Sequence, residues 1–210
     1  MTLSLNSSCA DRRYDESSAA SAPDDAQLVE RTQAGDVQAF NLLVERYQQR
    51  VYAVCFRMIG DTTAHDATQD VFLSAYRSIQ HYHGDAFFAW LLRIARNKCI
   101  DYLRARTRRA TVSLDSDTNS FDGVAPAEMS DGSEDLEQRV LRAELARSLE
   151  LMIQELPATQ RLAVILSDIQ GYSHEEIRMA TGWPAGTVKS RLRRGRARLR
   201  NMLGSLAPGP

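Results

Sequence analysis

Apolar side chains recur at steps of three and four residues through most of this chain, which is the spacing of one face of a helix. The first clear run stops at Gly60-Asp61, and two more cover about residues 63–79 and 87–106. No stretch sustains the period-two alternation of a strand. We therefore predict an all-α fold. The first run consists of Phe40, Leu43, Val44, Tyr47, Val51, Val54, Cys55 and Met58.

Two segments without this periodicity divide the chain. Residues 1–23 hold six serines and are predicted to be a disordered leader. Residues 111–135 are rich in Ser, Asp, Gly and Thr, and are predicted to be a flexible acidic linker. The domains expected between and after them are 24–110 and 136–205. In the second, an apolar face of Leu141, Leu145, Leu149, Met152 and Leu156 ends before Pro157, and a short helix over 158–168 follows.

A helix-turn-helix is predicted near the C-terminus. Ser173 and Glu176 have the spacing of a capping box, so a helix should begin there. Gly182 allows a turn after Thr181, and Pro184 suits the start of the next helix, which is strongly basic. A helix, a short glycine turn and a longer basic helix together indicate a helix-turn-helix.

The charge distribution changes the first impression given by composition. A formal net charge of -1 argues against a nucleic-acid binder. However, residues 93–109 hold seven basic residues and one acid, and residues 178–200 hold eight basic residues and no acid. Between them, residues 113–137 hold eight acids and no base. The near-zero total is thus the sum of two basic blocks and one acidic block.

The second basic block has the form of a helix that reads duplex DNA. A helix fits the major groove, and residues near its N-terminus meet base edges while later arginines contact phosphates. A solvated charged face is the alternative, but the capped helix and glycine turn before it favour DNA binding. The candidates are Gly186, Thr187, Lys189, Ser190, Arg191, Arg193, Arg194 and Arg196.

The first basic block has aromatic neighbours, as in proteins that bind single-stranded DNA by base stacking. Tyr82 and Asn97 are the favoured contacts, since an asparagine can read the edge of a flipped base. Trp90 is expected to be a core residue instead. The further candidates are His83, Arg93, Arg96 and Lys98.

Enzymatic and membrane functions find little support. No phosphate-binding, dinucleotide-binding, metalloprotease or nucleophile-elbow motif is present, so no catalytic residue, metal or cofactor is predicted. No apolar run is long enough to span a bilayer, and no signal peptide is evident. The three cysteines are far apart in sequence and form no CxxC pair. A cytoplasmic location, without disulfides, is therefore expected.

Four segments in this order resemble the extracytoplasmic-function (ECF) sigma factors of the sigma-E type, within the sigma-70 family. They are residues 37–47 (VQAFNLLVERY), 66–72 (DATQDVF), 90–97 (WLLRIARN) and 186–192 (GTVKSRL). The resemblance extends over about residues 24–203. It implies a sigma-2 bundle and a sigma-4 helix-turn-helix, core RNA polymerase as partner, and promoter recognition at the −10 and −35 elements.

The resemblance also implies roles for particular residues. Asn97 matches the position that captures a flipped −10 base, and the helix from Pro184 would read the −35 duplex. The polymerase clamp helices and flap would be contacted, and an anti-sigma factor is an expected partner. Docking on the clamp helices is implied for Asp66, Gln69, Asp70, Phe72 and Tyr76, and contact with −10 phosphates for Arg104, Arg106, Arg108 and Arg109. The acidic linker would lie in the polymerase channel that later holds RNA.

Two other function classes stay open at this point. A conventional helix-turn-helix regulator, with residues 24–110 as a sensory or dimerisation module, would bind a palindromic duplex without polymerase. An adaptor whose basic helix binds acidic proteins would show no sequence preference. Promoter-specific initiation with added core polymerase would distinguish both from a sigma factor.

Overall fold

In the computed structural model of the protein, residues 23–84, 86–112 and 136–206 are described, and they contain no β-strand. The predicted leader lies outside these ranges, as does the acidic linker apart from residues 111 and 112. The helices are α1 (Asp25–Gln33), α2 (Val37–Ile59), α3 (Asp61–Ser78), α4 (Phe87–Val112), α5 (Leu136–Glu155), α6 (Ala158–Val164), α7 (His174–Thr181) and α8 (Ala185–Leu206). A short 3-10 turn, Ile79–His81, follows α3, and a π-helical turn, Ile165–Ile169, extends α6.

The helix boundaries follow from local chemistry. The Asp36 carboxylate accepts hydrogen bonds from the backbone N–H groups of Gln38 and Ala39, at 2.9 and 3.2 Å, and so caps α2. Gly60 ends α2 with φ of 89°, a conformation that favours glycine, and α3 begins at the next residue. Helix α4 continues to Val112, six residues past its predicted end and two past the predicted domain boundary at residue 110.

Helices α1 to α4 form an N-terminal unit. Helix α2 packs against α1, α3 and α4, and α3 packs against α4. The apolar face predicted for α2 is buried except for Val44, which is half-buried against the core. Helices α5 to α8 form a C-terminal unit around Leu156, Leu162, Ile165, Ile177 and Leu192, all of them buried. Leu145 differs from the sequence interpretation, since it is 56% exposed.

The two units pack directly against each other. Their buried apolar residues form one continuous cluster, in which α4 lies against α7 and α2 lies against α5 and α6. Arg161 of α6 is only 8% exposed and donates a hydrogen bond to the carbonyl of Met58, at the end of α2. Because that side chain also donates to the carbonyls of Gln154 and Leu156, its buried charge is surrounded by acceptors from both units.

Candidate nucleic-acid interface

The predicted helix-turn-helix is present as α7, a turn and α8. The Ser173 backbone N–H donates to the Glu176 carboxylate at 2.8 Å, and the Glu176 N–H donates to the Ser173 hydroxyl at 3.3 Å, which confirms the capping box. Gly182 ends α7 in the left-handed conformation, with φ of 70°. Its N–H donates to the carbonyl of Arg178 at 2.8 Å. The turn thus places α8 directly after α7 without strain.

Helix α8 has one buried side and one exposed basic side. Val188 and Leu192 are buried, whereas Lys189, Arg193 and Arg194 extend into solvent. Gly195 lies on the packed side, where a Cβ atom would stand only 2.8 Å from Val164 Cγ2 of α6. The sequence interpretation missed this role of Gly195. The packing fixes which face of α8 is free, and the free face carries cations suited to duplex DNA.

Two arginines predicted to contact DNA are held within the C-terminal unit. The Arg191 guanidinium lies 3.9 Å from the centre of the Trp183 ring. Burial and the nearby charges of Arg96 and Arg194 lower the pKa of Arg191. Arg196 donates to both oxygens of the Asp168 carboxylate, at 3.0 and 2.5 Å. These contacts orient the two side chains beside the free face of α8. Among the remaining candidates, Gly186 is exposed, and Thr187 and Ser190 are half-buried.

The arginines of the first basic block contact the C-terminal unit. Arg96 of α4 donates through Nη1 to the carbonyl of Thr181 at 2.5 Å, and Arg93 donates to the carbonyl of Met179 at 3.1 Å. The other guanidinium nitrogens of Arg96 donate to the Asn97 side-chain oxygen at 3.1 and 2.8 Å. Burial, and to a lesser degree the Arg93 charge, lower the pKa of Arg96. Three predicted DNA contacts therefore lie together beside the end of α7.

The remaining cations of this block lie along α4. Lys98 is half-buried, whereas Arg104 and Arg106 are exposed. Arg104 lies 3.8 Å from the carboxylate of Asp101, one helical turn before it. A pair this exposed contributes little to stability. Both arginines consequently remain accessible to an anionic partner.

Tyr82 differs from the other candidates because its ring is buried. It is 8% exposed and packs against Trp90 at 5.0 Å and Phe87 at 5.7 Å between ring centres. Trp90 joins this aromatic cluster, in agreement with its predicted core position. His83 is exposed and, like Tyr82, lines a cavity of about 570 Å³ between α1 and the loop before α4.

Gln33, which sequence reasoning missed, positions this loop. Its amide nitrogen donates to the carbonyls of Ile79 and Tyr82, at 2.8 and 2.9 Å. The Gln80 side chain donates in return to the Gln33 carbonyl at 2.9 Å. The cavity also has acidic lining residues, Asp24 and Asp25 among them, which suit a base edge better than a phosphate.

The face of α3 that the resemblance assigns to a protein partner is partly exposed. Asp66 and Gln69 are exposed, and Tyr76 is 41% exposed with its ring edge against Phe40. Asp70 is half-buried and accepts a hydrogen bond from the Tyr102 hydroxyl at 3.2 Å.

Phe72 differs in burial from the other residues assigned to this face. It is only 7% exposed and belongs to the core, because the neighbouring turn of α3 packs against α2 and α4. Its side chain therefore contributes to packing, and its role in docking stays a prediction. Leu73 and Leu42, which the sequence reasoning did not select, are 52% and 40% exposed. Leu73 follows Gln69 by four residues on α3, and an exposed apolar side chain beside polar ones is the kind of surface that a protein partner covers.

The described residues also bear on metal binding, disulfide formation and membrane insertion. Within them, no group of three or more His, Cys, Asp or Glu side chains could hold a metal ion. The thiols of Cys55 and Cys99 lie 3.8 Å apart in the core and are not joined. None of the helices in the described ranges is both long and apolar enough to cross a membrane.

The amino-acid sequence matches known families and proteins over most of its length. Residues 43–109 match the family Sigma-70 region 2, and residues 146–199 match Sigma-70, region 4. RNA polymerase sigma-H factor of Pseudomonas aeruginosa is 39% identical over 180 residues, which are 82% of this chain and 90% of the relative. ECF RNA polymerase sigma-E factor of Escherichia coli is 40% identical over 182 residues, 84% of this chain and 93% of the relative.

Two solved structures share the fold. CnrH, in complex with the cytosolic domain of CnrY, has a TM-score of 0.61 and 26% identity, covering 86% of this chain and 97% of that structure. The sigma factor RpoE of Bartonella quintana, in complex with the anti-sigma factor NepR, has the same TM-score and identity. That match covers 82% of this chain and all of the RpoE chain.

Proposed function

Because this chain belongs to the sigma-70 family, as an ECF sigma factor of the sigma-E type, it directs promoter-specific initiation by core RNA polymerase, and we propose that its two basic surfaces divide the promoter between them. The N-terminal unit would bind polymerase and the melted −10 strand. The C-terminal unit would bind the −35 duplex. The free basic face of α8, fixed by the burial of Val188 and Leu192, is the observation that carries this division.

For the −35 element, Lys189, Arg193 and Arg194 are proposed to reach base edges and nearby phosphates. They are exposed on the first turns of α8, where a recognition helix meets the major groove. Arg191 and Arg196 would act from the flanks, the first stacked on Trp183 and the second paired with Asp168. Each basic module alone would bind weakly, and their connection on polymerase raises the effective concentration of the second.

For the −10 element, the proposed site combines Asn97 with the cavity beside the loop at residues 82–84. Asn97 would read an unpaired base, and Arg93 and Arg96 would hold its phosphates. The acidic lining of the cavity supports a base rather than a phosphate as its occupant. The cations further along α4, Lys98, Arg104 and Arg106, would follow the backbone of the same strand.

Protein partners complete the proposal. Core polymerase would dock on the α3 face of Asp66, Gln69 and Tyr76, extended by Leu73. An anti-sigma protein is proposed as a second partner, since a solved relative is bound to one. The chain itself would catalyse no reaction and would act in the cytoplasm, where polymerase works. The domain limits 24–110 and 136–205, with a linker over 111–135, are proposed to mark the functional units.

Reconstitution with core polymerase tests this function. The purified chain would be added to core enzyme on a library of genomic fragments, and RNA 5′ ends would be sequenced. We expect start sites preceded by two shared elements, and their loss with the double variant Arg193→Ala/Arg194→Ala. Initiation no different from core enzyme alone would contradict the proposal, and tight binding of a palindromic duplex without polymerase would favour a conventional regulator.

A further inference from the structure

The turn between α7 and α8 carries a tryptophan that the turn itself does not require. Gly182 supplies the left-handed conformation there, and Trp183 follows it. The Trp183 backbone N–H donates to the Thr181 hydroxyl at 3.3 Å, and that hydroxyl donates to the carbonyl of Ile177 at 2.5 Å. Thr181 and Ile177 are buried, and Trp183 is half-buried against the core. The indole is thus fixed to the C-terminal unit before any DNA binds.

One face of this indole holds a guanidinium group. The guanidinium carbon of Arg191 lies 3.9 Å from the centre of the Trp183 ring. A cation at this distance is attracted by the negative face of the aromatic ring. Nη1 of Arg191 is buried and has no hydrogen-bond acceptor among the residues that the structure describes. Contact with the ring, rather than a hydrogen bond from Nη1, therefore holds this end of the side chain.

Two other arginines of the C-terminal unit are held in a different way. Arg196 donates to the carboxylate of Asp168, and Arg178 donates to the carboxylate of Glu175 at 2.5 and 2.9 Å. A carboxylate neutralises the charge of an arginine and uses its N–H donors. A ring face does neither, because it contacts the plane of the guanidinium and leaves the donors at its edge. Arg191 is thus oriented without losing its charge.

Arg191 lies at the edge of the basic face of α8. It is half-buried, whereas Arg194, three residues further along the helix, is exposed. Residues three apart are neighbours on a helix surface, so the two side chains lie on the same side of α8. Burial lowers the pKa of Arg191, and the nearby charges of Arg96 and Arg194 lower it further. Clustered cations that flank a recognition helix are suited to contact with DNA phosphates.

We propose that Trp183 is a positioning residue for −35 recognition: its ring holds the Arg191 guanidinium, still charged, where it contacts a backbone phosphate of the duplex. This inference rests on the proposed function of α8 and adds to it a residue outside the basic helix. A phosphate contact fixes the register of a recognition helix without reading sequence. Loss of the ring should therefore weaken binding to every −35 sequence alike and leave base preference unchanged.

A double-mutant cycle in the reconstituted holoenzyme tests the coupling of the two residues. Trp183→Leu keeps an apolar side chain but removes the ring, and should raise the Kd for a promoter fragment about 3- to 10-fold. In an Arg191→Ala background the same substitution should change the Kd less than about twofold, because the group that the ring positions is gone. Trp183→Phe retains a ring face, so its Kd should lie between those of Trp183→Leu and the wild type.

Arg200→Ala is the charge-matched control for Arg191→Ala. Arg200 is exposed and lies nine residues beyond Arg191, which places it on the opposite side of α8. Arg191→Ala should make the plot of the logarithm of the binding constant against the logarithm of salt concentration less steep by about 0.9, and Arg200→Ala should not. In the free chain, Arg191→Ala should also shift tryptophan emission to longer wavelengths, because it uncovers Trp183. Arg200→Ala should leave that emission unchanged.

The possible results are distinct. Additive effects of Trp183→Leu and Arg191→Ala would overturn the inference, because a tryptophan that serves only packing would weaken binding whether or not Arg191 is present. Altered preference at a single base pair in Trp183→Leu would overturn it too. Circular dichroism checks the folding of Trp183→Leu, and if that variant is unfolded, wild-type emission in Arg191→Ala is the contradicting result.

The proposed function fails separately from this inference. A wild-type holoenzyme that binds no promoter fragment would refute the proposed function. A wild-type holoenzyme that binds, with additive effects of the two variants, would refute only the positioning role of Trp183.

Discussion

Arg96 and Thr181, 85 residues apart in sequence, are joined by a hydrogen bond of 2.5 Å from the guanidinium to a backbone carbonyl. The bond connects the middle of α4 to the end of the first helix of the helix-turn-helix. A side chain that the sequence marks as a DNA contact therefore also contributes to the packing of the two units. The two roles compete, because the Nη1 hydrogen that is directed at the Thr181 carbonyl cannot also be donated to a phosphate.

Arg96→Ala should consequently have different effects in the free and polymerase-bound chain. In holoenzyme we expect weaker binding of the −10 strand. The plot of the logarithm of the binding constant against the logarithm of salt concentration should become less steep, by about 0.7 for each single-strand phosphate that the variant no longer neutralises. In the free chain the slope should stay the same, since the group is already engaged. Titrations of a −10 strand at several salt concentrations measure both. The same change in slope in both forms would contradict this explanation.

Leu73 and Phe72 provide a paired test of the docking face. Leu73→Asp places a charge on an exposed position and should weaken core polymerase binding about tenfold with little change in melting temperature. Phe72→Ala removes a buried ring and should cost about 3–5 kcal/mol of unfolding free energy. Competition binding to core enzyme and thermal unfolding separate the two outcomes. Loss of stability in Leu73→Asp comparable to that in Phe72→Ala would show that residue 73 is a packing position.

Gly195→Ala should destabilise the C-terminal unit although alanine is the better helix former. The added Cβ would lie 2.8 Å from Val164 Cγ2, on a stiff β-branched side chain that is buried. Overpacking costs about 1–3 kcal/mol, which exceeds the gain of up to about 1 kcal/mol from helix propensity. Gly204→Ala is the control, because a Cβ there meets nothing within 4 Å. The free energy of unfolding measured by chemical denaturation should be lower in Gly195→Ala than in the wild type. In Gly204→Ala it should equal or exceed the wild-type value.

Ser173→Ala removes one half of the capping box of α7. We expect a loss of about 1 kcal/mol in unfolding free energy, because the N–H of Glu176 loses its acceptor. Ser205→Ala is a matched control near the end of α8, where the hydroxyl donates only to the carbonyl of Met202. Urea unfolding monitored by circular dichroism compares them. Equal effects in both variants would mean that the capping interaction contributes nothing specific.

Arginines of α8 should differ in what they contribute to −35 recognition. Arg193→Ala or Arg194→Ala should relax sequence preference, reducing base discrimination by about 1–3 kcal/mol. Arg196→Ala should weaken all sequences more evenly. Because Asp168 holds Arg196 at 2.5 Å, Asp168→Ala tests whether that pair is needed for its orientation. Holoenzyme binding to a panel of −35 variants measures the pattern, and a uniform loss for all three arginine variants would refute this division.

Features with local causes could be read from the sequence. The capping box depends on two residues three positions apart, and the break at Gly60 depends on one backbone conformation. Helix periodicity likewise predicted the buried face of α2. Burial could not be read from the sequence where it depends on neighbours that are distant along the chain. Leu145 has the right spacing but is exposed, and Phe72 lies in the docking segment but is buried in the core.

By itself, the sequence determined the helices, the helix-turn-helix and the separation of charge into two basic blocks, since these properties depend on residues within a few turns of one another. The tertiary structure alone decided how the blocks meet. The bond from Arg96 to Thr181, the hydrogen bond from Arg50 to Tyr172 and the burial of Arg161 against Met58 each join positions 85 or more residues apart. Periodicity marks a face as apolar or charged, but only the packing of both units determines which surface that face contacts.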